Sequence, residues 1–258
     1  MKCEGENNHM KKQNDGAKIK AYLIGFTERF PLLSILTGAS LFISLLYVFT
    51  SDLPELFNFA EELFVLVNTL GLAIIANCIF CFFQIYIPEI KEKEKIETAI
   101  NASLTKILKL ISDPYERIYK IKNECQAPFE SIPEIAKLLQ GFNANTPLGI
   151  TYITPSGLRG DAHASWIIYC YRKEISEEIA RLISMLGKYL DADLLMLLLQ
   201  IDRCRWFSYI TQLHNSGVWE HLEILCTEEG LFPELEELQE QYRCLQMNLL
   251  PVSKTYVH

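Results

Sequence analysis

Apolar residues are not spread evenly along this chain. Residues 31–50, "PLLSILTGASLFISLLYVFT", and residues 63–88, which begin "LFVLVNTLGLAIIANCIF", contain no Asp, Glu, Lys or Arg. Each run exceeds the roughly 18 apolar residues that read as a membrane-spanning helix. Pro31 suits the first turn of a helix, where its missing N–H costs nothing. The second run is long enough to cross with some tilt. Core helices of a soluble protein keep polar residues on one face, and these runs do not. A cleaved signal peptide fits poorly as well, because the first run starts late and a second follows directly.

Beyond Pro88 the spacing becomes that of amphipathic helices. Ile100, Leu104, Ile107, Leu108 and Ile111 share one face. "SDPYER" reads as a break and restart, with Asp113 as cap, Pro114 in the first turn and Glu116 three residues after the cap. "SIPE" repeats that signal at Ser131 and Glu134. A longer helix is expected over 162–190, with Ile175, Ile179, Leu182, Ile183, Leu186 and Leu190 as its stripe and a Glu177–Arg181 pair on its wet side. Another is expected over 193–213, capped by Asp191 or Asp193, with the run Leu194–Leu199 at the centre of the core. In the last helix, opened near Pro233, Leu235, Leu238, Tyr242, Leu245 and Leu249 form a short heptad seam suited to packing on the bundle. Residues 141–162, rich in Gly, Pro, Asn and Thr, read as one long irregular loop. "GITYIT" within it has strand character but no evident partner.

The expected fold is therefore all-α: a two-helix transmembrane hairpin followed by a helical bundle with one long irregular loop. Residues 1–30 form an N-terminal segment, 31–88 the hairpin and 89–258 the helical domain. In "KIKAYLIGFTERF", Ile19, Tyr22, Leu23, Phe26 and Phe30 share a helical face. That segment reads either as a helix lying in the membrane interface or as an extension of the first span. Tyr47, Phe49 and Tyr86 fall near the expected interfaces, where aromatic rings are favoured.

Charge sets the expected orientation. The loop 51–62 carries four acidic groups and no basic one, whereas the first 30 residues hold Lys2, Lys11, Lys12, Lys18, Lys20 and Arg29. Lys91, Lys93 and Lys95 follow the second run. Lys/Arg bias in short flanks places both termini in the cytoplasm and the acidic loop outside. The composition is 50% hydrophobic with 22% charge and a mean hydropathy of +0.11, and the apolar excess lies in the two runs. Residues 89–258 hold 18 basic and 24 acidic groups, a net charge of −6 that argues against nucleic acid as a partner.

Of eight cysteines, at 3, 78, 81, 125, 170, 204, 226 and 244, most fall in the part assigned to the cytosol, where thiols stay reduced. Cys78 and Cys81 form a C-x-x-C inside the second run, where a zinc site lacks two further ligands. Five histidines and no metal-binding or nucleotide-binding motif leave no metal or cofactor implied. Ser156, Arg159, Asp161, His163 and Ser165 supply a nucleophile, a base and an acid by type, but no nucleophile elbow is present. Asp161 can equally cap the following helix, with His163 in its first turn. Arg159, Arg203, Arg205 and Trp206 are candidate partner contacts, since Arg and Trp dominate binding hot spots, but "IDRCRW" reads more readily as a solvated helix face with one buried Trp. Within the spans, Asn68, Asn77 and Gln84 are polar but not ionisable, which disfavours a proton relay or pump. The spacings Ser34/Gly38 and Ser40/Ser44 allow close helix approach, and Asn77 can hydrogen-bond across helices, within the hairpin or between copies.

Two functional classes remain. One is a membrane-anchored interaction or regulatory module, with an oligomerising membrane effector as a subclass, whose partners are the bilayer and a protein or a second copy. The other is a membrane-bound, hydrolase-like enzyme with its site in residues 156–165.

Overall fold

The computed structural model describes residues 19–50, 59–133, 135–153, 159–216 and 232–249. Its order is α1 (19–29), α2 (Pro31–Thr50), α3 (Ala60–Phe80), a π-helical turn (Cys81–Tyr86), α4 (Ile87–Asn123), a 3-10 turn (Phe129–Ser131), α5 (Ile135–Leu138), β1 (Pro147–Ile153), β2 (Arg159–His163), α6 (Ala164–Leu186), a 3-10 turn (Gly187–Tyr189), α7 (Ala192–Asp202), α8 (Arg205–Asn215) and α9 (Phe232–Met247). The chain divides into two compact units, one ending at Lys95, the other beginning at Ile96.

In the first unit, α2 and α3 pack antiparallel. Ser40 meets Gly71, Tyr47 stacks on Phe64 with ring centres 5.7 Å apart, and Phe30 meets Tyr86 at 6.4 Å. Helical hydrogen bonds from Phe30 N to Phe26 O and from Ser34 N to Phe30 O carry α1 into α2. Phe26 is buried in a cluster with Phe30, Phe82 and Tyr86. Gly25 sits against the Tyr86 hydroxyl, where a side chain would collide. Arg29 pairs with Glu89 at 2.7 Å. Two helices, within Pro31–Phe49 and Glu61–Asn123, are long and apolar enough to cross a membrane, and only 6% of the apolar window of each is buried.

The second unit owns the protein's hydrophobic core, which runs from Ile100 to Leu245. The expected stripe of α4 is buried throughout, and Ile175, Ile179 and Leu182 of α6 are buried in the same core. In α9, Leu235, Leu238, Tyr242 and Leu245 are buried in the same core, so the heptad seam packs on the bundle. Asp191 caps α7, its carboxylate accepting from Leu194 N at 2.6 Å.

Several local expectations are corrected. The break at Asp113–Pro114 is absent, and α4 runs through a buried Pro114. The proline removes one helical hydrogen bond, but Ile111, Tyr115 and Ile118 bury on either side and hold the helix in register. Asp113 does not cap; it accepts from Arg117 Nε at 2.8 Å and from the Tyr171 hydroxyl at 3.2 Å. Burial first, and the Asp113 charge second, push the Tyr171 hydroxyl up to about 12, so it stays a neutral donor. Ser131 lies in a 3-10 turn, its hydroxyl donating to Pro128 O, and Glu134 is outside the described residues. Arg181 pairs with Glu178 rather than Glu177, which lies 4.0 Å from Lys173.

The loop expected over 141–162 contains an antiparallel hairpin, β1 with β2, in the register Thr151↔Asp161, Tyr152↔Gly160 and Ile153↔Arg159. A bulge separates Pro147 from Thr151, and Gly149 takes a left-handed φ of 69° there. The strand found a partner because Leu148 and Ala162 both bury against the bundle. The expected helix over 193–213 is two helices, divided at Arg203–Cys204. Arg172 donates to the Asp202 carbonyl at 3.0 Å and to its carboxylate at 3.3 Å, and Ser176 donates to that carboxylate at 2.6 Å. Those bonds end α7 and turn the chain so that Trp206 and Phe207 enter the core.

The two leucines of the central run separate cleanly. Leu198 is 0% exposed, whereas Leu195 is only half-buried. Truncating a fully buried leucine costs about 2–5 kcal/mol once the cavity is included. Leu198→Ala is expected to lower the melting temperature of a 91–258 fragment clearly, Leu195→Ala less, and exposed His163→Ala hardly at all. Equal effects of the two leucine changes would show that α7 does not present this face to the core.

Candidate functional site

The hairpin carries the sequence candidates for chemistry. Along β2, burial alternates, with Ala162 inward and Arg159, Asp161 and His163 exposed on the other face. His163 is the residue before α6, yet its side chain makes no capping bond, and Asp161 lies too far back in the strand to cap. Ser165 is buried and its hydroxyl donates to Ala144 O at 2.9 Å. It is thereby committed to the backbone that anchors the hairpin, alongside Ser165 N to Ala144 O and Ala164 N to Thr146 O. Ser156 lies outside the described residues. The structure thus brings Arg159, Asp161 and His163 onto one polar face and assigns Ser165 to the scaffold.

Of the partner candidates, Arg203 and Arg205 are exposed, and the Arg205 guanidinium lies 3.9 Å from Glu234. Trp206 is the buried tryptophan beside these exposed arginines: it is 0% exposed, and its Nε1 donates to the Tyr115 hydroxyl at 2.6 Å. Helical spacing explains this, since the turn at Cys204 sends Trp206, Phe207 and Ile210 inward together. A half-exposed aromatic group that sequence spacing did not reveal stands on α6 and α8. Trp166, 40% exposed, tilts against Tyr169 and His214, and those two stack with ring centres 3.6 Å apart. Trp166 and Tyr169 are three apart on α6, but His214 comes from 45 positions later, so only the fold assembles them.

In the hairpin of α2 and α3, the small and polar residues fall on different sides. Ser40 is buried against Gly71, where an added Cβ would stand 3.4 Å from that of Ser40. The missing side chain of Gly71, which spacing alone did not single out, lets the helices approach. Ser44 Oγ and Asn68 Oδ1 are enclosed without a hydrogen-bond partner. The Ser34 hydroxyl returns to Phe30 O at 3.0 Å. Gly38 and Asn77, by contrast, are exposed, and nothing lies within 4 Å of a Cβ built on Gly38. Cys78 and Cys81 are free thiols. Among the described residues, no group of three or more His, Cys, Asp or Glu is placed to hold a metal ion.

No known protein family, curated protein or solved structure matches this chain.

Proposed function

We propose that this chain is a membrane-anchored interaction or regulatory module of the oligomerising-effector kind. The α2–α3 hairpin crosses the bilayer twice, both termini lie in the cytoplasm, and the helical domain works at the inner face. The observation that carries the reading is the exposure of the two apolar helices: 6% of each window is buried, where the core helix of a soluble protein is mostly buried. Only a bilayer or an apolar partner satisfies that much surface. The second unit has its own core and a polar exterior with an acidic balance, which suits a protein partner better than nucleic acid. No observation on the β2 face favours the hydrolase-like alternative over an exposed polar surface.

Orientation is tested by labelling intact cells with a membrane-impermeant maleimide. A cysteine placed at Asn58, in the loop without basic residues, is expected to react, and one placed at Lys93 is expected to be protected. Reaction at Lys93 would overturn the topology, and release of the chain by alkaline carbonate would overturn the anchor.

A further inference from the structure

Asn77 stands near the middle of the charge-free run 63–88, 14 residues after Leu63 and 11 before Pro88. At about 1.5 Å of rise per residue it lies within a few ångströms of the centre of a hydrocarbon core roughly 30 Å thick. Its side chain is exposed on the hairpin and makes no hydrogen bond. An amide turned toward hydrocarbon lacks water as well as a protein partner, and that costs free energy until one is found. Gln84 is also exposed but sits five residues from Glu89, close enough to reach the polar boundary. Asn77 has no such exit.

The surroundings of Asn77 suit another helix. Thr69 and Gly71 are two positions apart, about 200° around an α-helix, so Thr69 lies on the side opposite the α2 seam. Thr69, Ala73, Ala76 and Phe80 follow at helical spacing, and all are exposed. The first three are small, and the Thr69 hydroxyl is already bonded to Val65 O at 2.8 Å. Asn77 flanks this crest, one turn beyond Ala73. Small residues allow close approach of helix backbones in a bilayer.

We propose that Asn77 joins two copies of this chain, through the exposed α3 face centred on Ala73 and Asn77, in a parallel two-fold dimer within the membrane. The inference rests on the anchored reading above. Its ground is complementarity: copies inserted with one orientation bring Asn77 to the same depth, and a carboxamide both donates and accepts. The pair satisfies itself with two hydrogen bonds, as a two-fold interface requires. Asn68, whose carbonyl is enclosed beside the seam, cannot serve this role.

The full chain, carrying donor or acceptor fluorophores at its N-terminus, is reconstituted into phosphatidylcholine/phosphatidylglycerol vesicles. Flotation and carbonate resistance come first, and a chain that fails them overturns the anchor reading itself. For a chain that passes, energy transfer is followed as lipid is added. Asn77→Leu is expected to shift the dilution midpoint about tenfold toward the monomer. Asn77→Gln should retain association, and Asn68→Leu should leave it unchanged. Anchored wild-type chain without transfer would overturn the dimer, as would an Asn77→Leu midpoint equal to wild type. Equal loss in Asn68→Leu would show that the amides act inside the hairpin, which also overturns it. In cell membranes, a photo-crosslinker at position 73, which leaves Asn77 in place, should give an adduct of twice the chain's mass. An adduct with a different protein would displace the second copy as occupant.

Discussion

Trp206→Ala is expected to remove a large share of the stability of the helical domain. Trp206 is 0% exposed, and its indole N–H donates to the Tyr115 hydroxyl at 2.6 Å. Tyr115 tilts on Phe129 at 5.3 Å, and Phe129 meets Tyr242 edge-on at 4.8 Å. One line of aromatic contacts therefore ties α8, α4, the 3-10 turn at Phe129 and α9. Replacing a buried tryptophan by alanine costs about 3–5 kcal/mol, against the roughly 5–15 kcal/mol that a domain has in total. Thermal unfolding of the 91–258 fragment should show a large fall in melting temperature for Trp206→Ala and a smaller one for Trp206→Phe, which keeps a ring but loses the N–H. Arg203→Ala and Arg205→Ala, at exposed positions, should change stability by no more than about 0.5 kcal/mol. A Trp206→Ala domain that melts like wild type would mean that the line of rings is not a support. The same series divides the "RCRW" cluster, because any loss of partner binding in the arginine variants then cannot be a folding defect.

That cluster shows where sequence reading succeeds and where it stops. Helical stripes are legible because burial repeats every three or four residues, as in Ile100–Ile111, in Ile175–Leu182 and in α9. The cap at Asp191 is legible because it is a local bond. The division of α7 from α8 is not, because Arg172, 30 residues upstream, takes the Asp202 carbonyl. Nor is the continuity of α4 through Pro114, where neighbouring core residues outweigh a lost hydrogen bond. The second hairpin strand, "RGDAH", has no β-branched residue and two charges, so nothing in it announces a strand. The pairing appears only once Ala162 and Leu148 bury together.

The candidate sites divide the same way. The residue types at 159–165 were evident, but which of them face outward depends on the strand alternation that the pairing imposes. The small residues of the hairpin were evident too, but their spacing left open whether Ser40 or Gly38 faces the seam. The register of α2 on α3 decides this, through Gly71 opposite Ser40. The Trp166–Tyr169–His214 group and the bonds of Glu178 are assembled from distant segments and leave no local signal.

Glu178 gives the domain a defined sensitivity to acid. Only 3% of it is exposed, on the core side of α6. Lys106 of α4 donates to its Oε2 at 3.0 Å, and Arg181 of α6 at 2.6 Å. Burial is the largest single influence and pushes the carboxyl upward, but the bonds from Arg181, Lys106 and Ser103 together outweigh it and hold it down at about 2. The ordinary value is 4.5, so the folded state binds this proton less readily than the unfolded chain does. The stabilisation is therefore complete above pH 4.5 and is lost as pH falls from 4.5 toward 2. A difference of that size corresponds to about 3 kcal/mol. Lys106 and Arg181 are 51% and 58% exposed, and screening at those ends reduces it to about 2 kcal/mol. Glu178→Gln keeps the shape and removes the charge. At pH 7 it should be less stable than wild type by about 2 kcal/mol, and the two unfolding curves should converge as pH approaches 2. Lys106→Met, which leaves the carboxylate with Arg181 alone, should fall between them at pH 7. A Glu178→Gln curve that runs parallel to wild type from pH 7 to pH 2 would show that the carboxylate does not pin α6 to α4.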